Sequence, residues 1–242
     1  MNDDGAATVE ALASQFGVSV MTIRRDLAAL EASGSLRRVH GGASVPDLSA
    51  QEDSFAFRLQ VGVDAKQRLA EAVVRGLQAG ESVFVDGSST GFFLARLILK
   101  RDCDVTLLTN SLPVMALFNA NMARRTKLTA LGGTLRELTL CFVGPEASGS
   151  AGRYVADKAV ISCKGLTEDG LVTEPTPSEV EVKQRMLSQS QERLILLDGT
   201  KFERRGLYVV DKVTSFSRVL VADAPAERIS QLQCLGVEVE VV

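Results

Sequence analysis

The stretch that decides the front of the fold, residues 8–43, reads TVEALASQFGVSVMTIRRDLAALEASGSLRRVHGGA. Leu12, Ala13 and Phe16 recur at the spacing of one helix face. Gly17 follows them and readily adopts the left-handed conformation that ends many helices. The stretch therefore predicts a short amphipathic helix with these three side chains on one face, and then a sharp turn.

A second amphipathic helix is predicted after the turn, over residues 20–32. Ser19 is a good N-cap for its first turn. Ile23, Leu27 and Leu30 recur at i, i+4 and i+7, which gives the helix one apolar face. Two helices joined in this way form a helix-turn-helix, whose second helix can lie in the major groove of DNA.

A small β wing is predicted next. Residues 36–39 alternate apolar and basic side chains, and the Gly-Gly pair at 41–42 offers a tight turn.

The basic residues of this segment are few, so their placement matters more than their number. Residues 1–44 contain four arginines against five acidic residues. With the apolar face inward, Arg24 and Arg25 project outward near a helix N-terminus, where they can grip phosphates or read guanine. The competing interpretation is a solvated helix in which they pair with Asp26 or Glu31. The predicted DNA contacts are Ser19, Val20, Met21, Thr22, Arg24, Arg25, Arg37, Arg38 and His40.

The rest of the chain predicts a second, larger domain of the α/β class. Residues 45–57 mix Pro, Ser and acidic residues and are predicted to link a domain over 1–44 to one over 58–242. Beyond them, short apolar runs alternate with amphipathic stretches, which predicts a parallel sheet flanked by helices. The predicted strands are 82–85, 105–108, 127–131, 159–162, 194–197, 218–221 and 237–241, and the predicted helices are 65–78, 91–99, one from 112, 179–190 and 226–235.

Glycine and small hydroxylated residues fill the loops after four of these strands. In a parallel sheet such loops meet at one edge, and their composition lets backbone amides approach an anion. They match neither GxxxxGK[ST] nor GxGxxG, so nucleotide hydrolysis is unsupported. Lys183 and Lys201 are candidate cations for the same anion, although a single lysine is more often a solvated surface charge. The loops are Asp86-Gly87-Ser88-Ser89-Thr90, Thr109-Asn110-Ser111, Gly132-Gly133-Thr134 and Asp198-Gly199-Thr200-Lys201.

Several classes of protein are excluded by composition. The four cysteines have no CxxC spacing, and His40 is the one histidine, so neither a zinc site nor a multi-imidazole site is predicted. No pair of acidic residues at a fixed spacing indicates proton transfer, and no catalytic or metal-binding residue is predicted. No apolar run is long enough to cross a membrane. The first ten residues carry three acidic and no basic residue, unlike an export leader, so we expect a cytoplasmic protein.

Seven motifs in this order closely resemble the DeoR family of bacterial transcriptional regulators, over nearly the whole chain. They are TIRRDLAALEASGSLRRVHGGA, DGSST, TNS, LGGT, ADKAVI, VKQRM and DGTKF. The resemblance implies a winged helix-turn-helix that binds operator DNA, joined to a sensor domain related in fold to ribose-5-phosphate isomerase. It also implies a homo-oligomer, a dimer or tetramer, that represses carbohydrate genes and is released by a phosphorylated sugar, with no cofactor.

The resemblance places DNA contacts on the second helix and the wing, in agreement with the residues named above. It places effector contacts on the strand-end loops and the two lysines. These effector residues are Asp86, Gly87, Ser88, Ser89, Thr90, Thr109, Asn110, Gly132, Gly133, Lys183 and Lys201.

The chain departs from the resemblance at two places. Related isomerases carry acidic catalytic residues after the strand that here ends near Ile161, where this chain has Ser162-Cys163-Lys164-Gly165. We therefore interpret the site as a sensor, with a sugar-phosphate isomerase and an effector module without DNA binding as alternatives. Family members also begin with a further basic helix, whereas only MNDDGAAT precedes Val9, so we expect a truncated first helix or a start farther upstream.

Overall fold

The computed structural model describes residues 6–32, 37–39, 42–44, 52–121 and 124–242. The chain divides into two units, Met1–Val61 and Gly62–Val242. In its described residues, the first unit contains a small antiparallel sheet of order β1-β3-β2 and three helices. Its elements are β1 (Ala6–Thr8), α1 (Val9–Phe16), α2 (Val20–Ala32), β2 (Arg37–Val39), β3 (Gly42–Ser44) and α3 (Phe55–Arg58).

The predicted helix-turn-helix is confirmed, and its local signals act as expected. Gly17 ends α1 in the left-handed conformation at φ 64°, and Ser19 Oγ accepts a hydrogen bond from the Thr22 amide at 3.1 Å. In the wing, Val39 pairs with Gly42 across the β2–β3 hairpin, while His40 lies outside the described residues.

Two expectations for this unit need correction. Phe16 is expected on the same apolar face as Leu12 and Ala13, but it is 64% exposed, whereas Ala13 is buried. Among the described side chains, the core between α1 and α2 contains Val9, Ala13, Ile23 and Leu27, with Leu12 packed against it, while the side chain of Leu30 lies outside the described part. In addition, α3 begins inside the segment predicted as a linker, where Ser54 Oγ caps it by accepting from the Phe57 amide at 3.2 Å.

The second unit confirms the α/β class. Seven parallel strands form its main sheet in the order β15-β14-β12-β9-β4-β5-β6. The helices are α4 (Val63–Arg75), α5 (Ser89–Arg101), α6 (Leu112–Asn121), α7 (Pro145–Ala151), α8 (Pro177–Ser188) and α9 (Ala226–Cys234). The sheet strands are β4 (Ser82–Val85), β5 (Thr106–Thr109), β6 (Lys127–Ala130), β9 (Ala156–Ile161), β12 (Ser190–Asp198), β14 (Arg218–Ala222) and β15 (Val239–Val241).

Two smaller β structures were not predicted. A hairpin is formed by β7 (Thr134–Arg136) and β8 (Cys141–Val143). A three-stranded antiparallel sheet of order β10-β11-β13 is formed by β10 (Gly165–Leu166), β11 (Leu171–Glu174) and β13 (Tyr208–Lys212). Both contribute side chains to the site described below.

The main sheet is buried at its centre, as its uninterrupted apolar strands predict. Phe84, Ile161 and Leu197, from β4, β9 and β12, are each 1% exposed or less. In the described part of the chain, no helix has both the length and the apolar character that crossing a membrane requires. The strands all run the same way, so the loops after them meet at one edge, here called the carboxyl edge.

Candidate functional site

The carboxyl edge brings together the four predicted loops because the strands before them are neighbours in the sheet. From one side to the other, β12, β9, β4, β5 and β6 end next to one another. Asp198, Asp86 and Asn110 are buried at three of these ends. Residues far apart in sequence therefore form one continuous row of polar groups.

Asp86 is the hub of this row. Its Oδ1 accepts hydrogen bonds from the Ser88 amide at 3.1 Å and the Ser88 hydroxyl at 2.5 Å. Its Oδ2 accepts from the Ser162 amide at 3.0 Å and from the Lys183 ammonium. With four donors on a side chain that is 1% exposed, Asp86 fixes the geometry around it.

Lys183, on α8, is fully occupied by acceptors. Besides Asp86, its Nζ donates to the Ser162 carbonyl at 2.7 Å and lies 3.0 Å from Glu174 Oε1. Burial acts to lower the pKa of Lys183, but the carboxylates of Asp86 and Glu174 outweigh it and raise that pKa above its usual value. An ammonium has three donors, and all three have partners here. The contacts make Lys183 a residue that positions Asp86.

Glu174 and Glu179 are site residues that sequence reasoning missed. Glu174 ends β11, and burial raises its pKa although Lys183 opposes the rise. Glu179 lies in the first turn of α8, where its Oε2 accepts from the Thr176 hydroxyl at 2.9 Å and lies 3.7 Å from Arg136 Nη1. The spacing Thr-x-x-Glu at 176–179 matches a capping box and was the available signal for Glu179.

Two glycines of the predicted site are required by close packing. A Cβ on Gly87 would lie 2.5 Å from the Cβ of Cys141, and one on Gly133 would lie 2.8 Å from the Cβ of Ala147. A Cβ on Gly132 would meet nothing within 4 Å among the described residues. Cys141 is itself buried, and burial together with Glu179 raises the pKa of its thiol to about 12.

Unsatisfied polar atoms lie near the start of α5. Ser88 caps this helix by accepting from the Gly91 amide at 2.9 Å, and Ser89 is 2% exposed. Asn110 Nδ2 donates to the Phe142 carbonyl at 2.8 Å, and Thr109 Oγ1 accepts from the Ser111 amide. Within the described residues, Asn110 Oδ1 and Thr90 Oγ1 are buried without a hydrogen-bond partner. Buried polar atoms are normally satisfied, so these two point to a ligand.

At the end of β12, Asp198 has fewer hydrogen-bond partners than Asp86 has at the end of β4. Asp198 Oδ1 accepts from the Thr200 amide at 3.0 Å, whereas Oδ2 is buried and has no hydrogen-bond partner within the part of the chain that is described. Lys201 Nζ lies 3.9 Å from Oδ2. Burial acts to raise the pKa of Asp198, but Lys201 and the Thr200 hydrogen bonds lower it overall. The Lys201 ammonium thus keeps donors for another acceptor.

Five of the predicted DNA-contact residues lie around one depression in the first unit. Ser19, Met21, Thr22, Arg24 and Arg25 line a shallow depression at the start of α2. Val20 is exposed beside them, and Met21 is 74% exposed. Arg37 and Arg38 lie in β2.

The competing interpretation of Arg25 is present in a weak form. Its Nε lies 3.6 Å from Asp26 Oδ1, but the two side chains are 80% and 54% exposed. An ion pair this exposed contributes little and is easily exchanged for phosphate.

Comparison with known proteins places both units in one family. The DeoR-like helix-turn-helix domain matches residues 1–48, and the DeoR C-terminal sensor domain matches residues 62–223. An L-fucose operon activator of Escherichia coli K12 is 31% identical over 82% of this chain and 81% of its own length. A lactose phosphotransferase system repressor of Lactococcus lactis is 32% identical over 83% of this chain and 78% of its own.

Among solved structures, ribose-5-phosphate isomerase A of Methanocaldococcus jannaschii overlaps with a TM-score of 0.42 and 15% identity. The overlap covers 58% of this chain and about half, 54%, of that one, which is too little to support an argument about activity. The family matches and the two regulators are decisive. The chain belongs to the DeoR family and is a DNA-binding transcriptional regulator with a C-terminal sensor domain.

Proposed function

We propose that this regulator represses carbohydrate-metabolism genes and that a phosphorylated sugar at the carboxyl edge changes its affinity for operator DNA. The observation that carries the proposal is the pair of buried, unpartnered atoms Thr90 Oγ1 and Asn110 Oδ1 beside the N-terminus of α5. A helix N-terminus favours a phosphate, and the two side-chain atoms suit the hydroxyl groups of a sugar. Two regulators similar to this chain are named for the L-fucose operon and the lactose phosphotransferase system.

The contacts suggest three roles for nine of the eleven predicted effector residues. Ser88, Ser89, Thr90 and Asn110 supply the groups that meet the ligand, and Lys201 supplies a cation with donors to spare. Asp86 and Lys183 satisfy each other, so they hold the loops in place and do not contact the phosphate. Gly87 and Gly133 permit the close packing that shapes the site.

The sensor is proposed to bind its sugar without converting it. The loop after β9 has no carboxylate, and the Asp86 carboxylate already accepts four hydrogen bonds. Neither is suited to accept a proton from a sugar carbon. Incubation with pentose phosphates should therefore give no isomerised product, whereas turnover that disappears in Asp86→Ala would establish an enzyme.

The effector test is a thermal-shift screen of the full chain against a panel of sugar phosphates. A ligand at 100 times its Kd adds about 2.7 kcal/mol to the free energy of unfolding. Thr90→Val keeps the side-chain shape and removes the hydroxyl, so it should lower the affinity for that ligand. Operator binding in the absence of the ligand should be unchanged. If no sugar phosphate stabilises the unsubstituted chain, the sensing part of the proposal is wrong.

The DNA test measures how operator affinity depends on salt. Each phosphate contact contributes about 0.9 to the slope of log K against log salt concentration. Arg24→Ala and Arg25→Ala should each reduce the slope by that amount, and an unchanged slope would remove the residue from the interface. The effector should change operator affinity by about 5- to 150-fold, the range of typical allosteric couplings.

The assembly is proposed to be at least a dimer, because repeated operator half-sites are matched by repeated recognition helices. Light scattering on the full chain tests this directly. A monomer that binds a single half-site would contradict it.

A further inference from the structure

A second basic surface lies on the sensor domain, far along the chain from the helix-turn-helix. The short segments 100–104 and 124–127 contain five cations and two acids. The cations, here called the basic patch, are Lys100, Arg101, Arg124, Arg125 and Lys127, and all five are exposed.

The fold holds the two segments together with one carboxylate. Asp102 Oδ1 accepts from the backbone amides of Arg124 at 3.0 Å, Arg125 at 2.9 Å and Thr126 at 3.3 Å. The Thr126 hydroxyl donates to the Cys103 carbonyl at 2.7 Å. The bonds to Asp102 come from the main chain, so the arginine guanidinium groups take no part in them.

Charges from both segments act on the same thiol, that of Cys103. Burial raises the pKa of the Cys103 thiol, and Arg101 and Arg125 both oppose that rise. Asp102 and Asp104 offset two of the five positive charges, and the Asp104–Arg125 pair, 3.8 Å apart with both side chains about half exposed or more, is a weak one. A formal excess of positive charge therefore faces solvent.

A cation with carboxylate partners lies nearby for comparison, at the edge where the parallel strands begin. Lys158, at the start of β9, is 10% exposed and pairs with both Glu81 and Glu192. No such pairing is found, within the described residues, for Arg124 or Lys127. Lys100 and Arg101 end α5, where the helix dipole favours cations, but that reason does not apply to the second segment.

The charge of the DNA-binding unit gives the patch a natural partner. Residues 1–61 contain five arginines, no lysine and eight acidic residues. Phosphate contacts dominate the affinity of proteins for DNA, and this unit has five cations with which to make them. We propose that the basic patch binds the phosphate backbone of the DNA that flanks the operator, so that the sensor domain contributes to DNA affinity without reading sequence.

The proposal rests on operator binding by the full chain, and it predicts a dependence on DNA length. We would compare the shortest promoter fragment that binds with the same fragment lengthened by two helical turns, about 20 base pairs, on each side. The variant R124Q/R125Q keeps the backbone bonds to Asp102 and removes two charges. The variant R205Q/K212Q removes two exposed charges elsewhere on the same domain and is the matched control.

On the long duplex, R124Q/R125Q should reduce the slope of log K against log salt by about 1.8, and the control should leave it unchanged. On the short duplex neither variant should change the slope, and both should unfold at the temperature of the unsubstituted chain. Equal slopes for R124Q/R125Q and the unsubstituted chain on the long duplex would overturn the inference, as would an equal loss on both duplexes. Failure of the unsubstituted chain to bind either duplex would overturn DNA binding itself.

Discussion

The loops after β4 and β12 begin with nearly the same residues and differ in what meets their aspartates. Asp86-Gly87-Ser88 and Asp198-Gly199-Thr200 both use aspartate Oδ1 to accept from the amide and the hydroxyl two residues later. Asp86 Oδ2 then accepts from Ser162 and Lys183, whereas Asp198 Oδ2 accepts no hydrogen bond among the described residues. Local sequence decides the first oxygen, and partners from distant elements decide the second.

The largest expected difference in stability concerns the lysine that lies next to each aspartate. Lys183→Met leaves Asp86 and Glu174 buried without a counter-ion, which should lower the free energy of unfolding by about 3–5 kcal/mol. Lys201→Met removes a single contact at 3.9 Å and should cost about 1 kcal/mol. Urea denaturation measures both changes in the free energy of unfolding. Equal losses would mean that the two lysines contribute equally and that the two loops do not differ in this respect.

The aspartates provide the next test. Asp86→Asn turns Oδ2 into a donor that faces the Ser162 amide and the Lys183 ammonium, with an expected loss of about 2–3 kcal/mol. Asp198→Asn keeps the Oδ1 acceptor and replaces an oxygen that has no hydrogen-bond partner in the described chain, so its effect should be under about 1 kcal/mol. The comparison fails if Asp198→Asn is the more destabilising of the two.

The glycines of the two loops should both resist alanine. A Cβ on Gly199 would lie 2.3 Å from the Asp223 carbonyl oxygen, and one on Gly87 would lie 2.5 Å from the Cβ of Cys141. We expect losses of about 1–3 kcal/mol, larger for Gly199→Ala because backbone yields less than a side chain. Gly132→Ala, which has open space around it among the described residues, is the control and should change stability by less than about 0.5 kcal/mol.

The smallest effect concerns pH. The pKa of Asp198 is lowered in the folded chain from its ordinary value of 3.8, so the ionised form contributes stability that is present above that pH and lost as the pH falls below it. Asp198→Asn should therefore flatten the fall in stability below about pH 4. Glu238→Gln, at an exposed site, should leave the fall unchanged, and an unaltered acid limb in Asp198→Asn would contradict the assignment.

The same contrast explains how far the sequence could be interpreted. Strand β4 and helices α1 and α2 follow from buried apolar runs, from Gly17 and from the Ser19 cap, all of which act within a few residues. The β7–β8 hairpin was missed because its turn lacks the usual glycine or asparagine, and Leu140 adopts a φ of 53° there. Glu174 was missed because only the pairing of β11 with its neighbours brings it to Lys183.

The predicted role of Lys183 shows, at a single residue, how far the sequence alone can be interpreted. Its sequence context, on a helix after a strand-end loop, suits a lysine that binds a phosphate as well as a lysine buried in ion pairs. Only the geometry of Asp86, Glu174 and the Ser162 carbonyl reveals that its donors are already used. Charge placement could be predicted, and charge pairing could not.

Ser162 ties the two loops into one frame. Its amide and carbonyl engage Asp86 and Lys183, while its hydroxyl donates to the Leu196 carbonyl at 2.8 Å, two residues before Asp198. Ser162 therefore links the Asp86 loop to the end of β12, and Ser162→Gly would remove the hydroxyl half of that link while keeping the main-chain half.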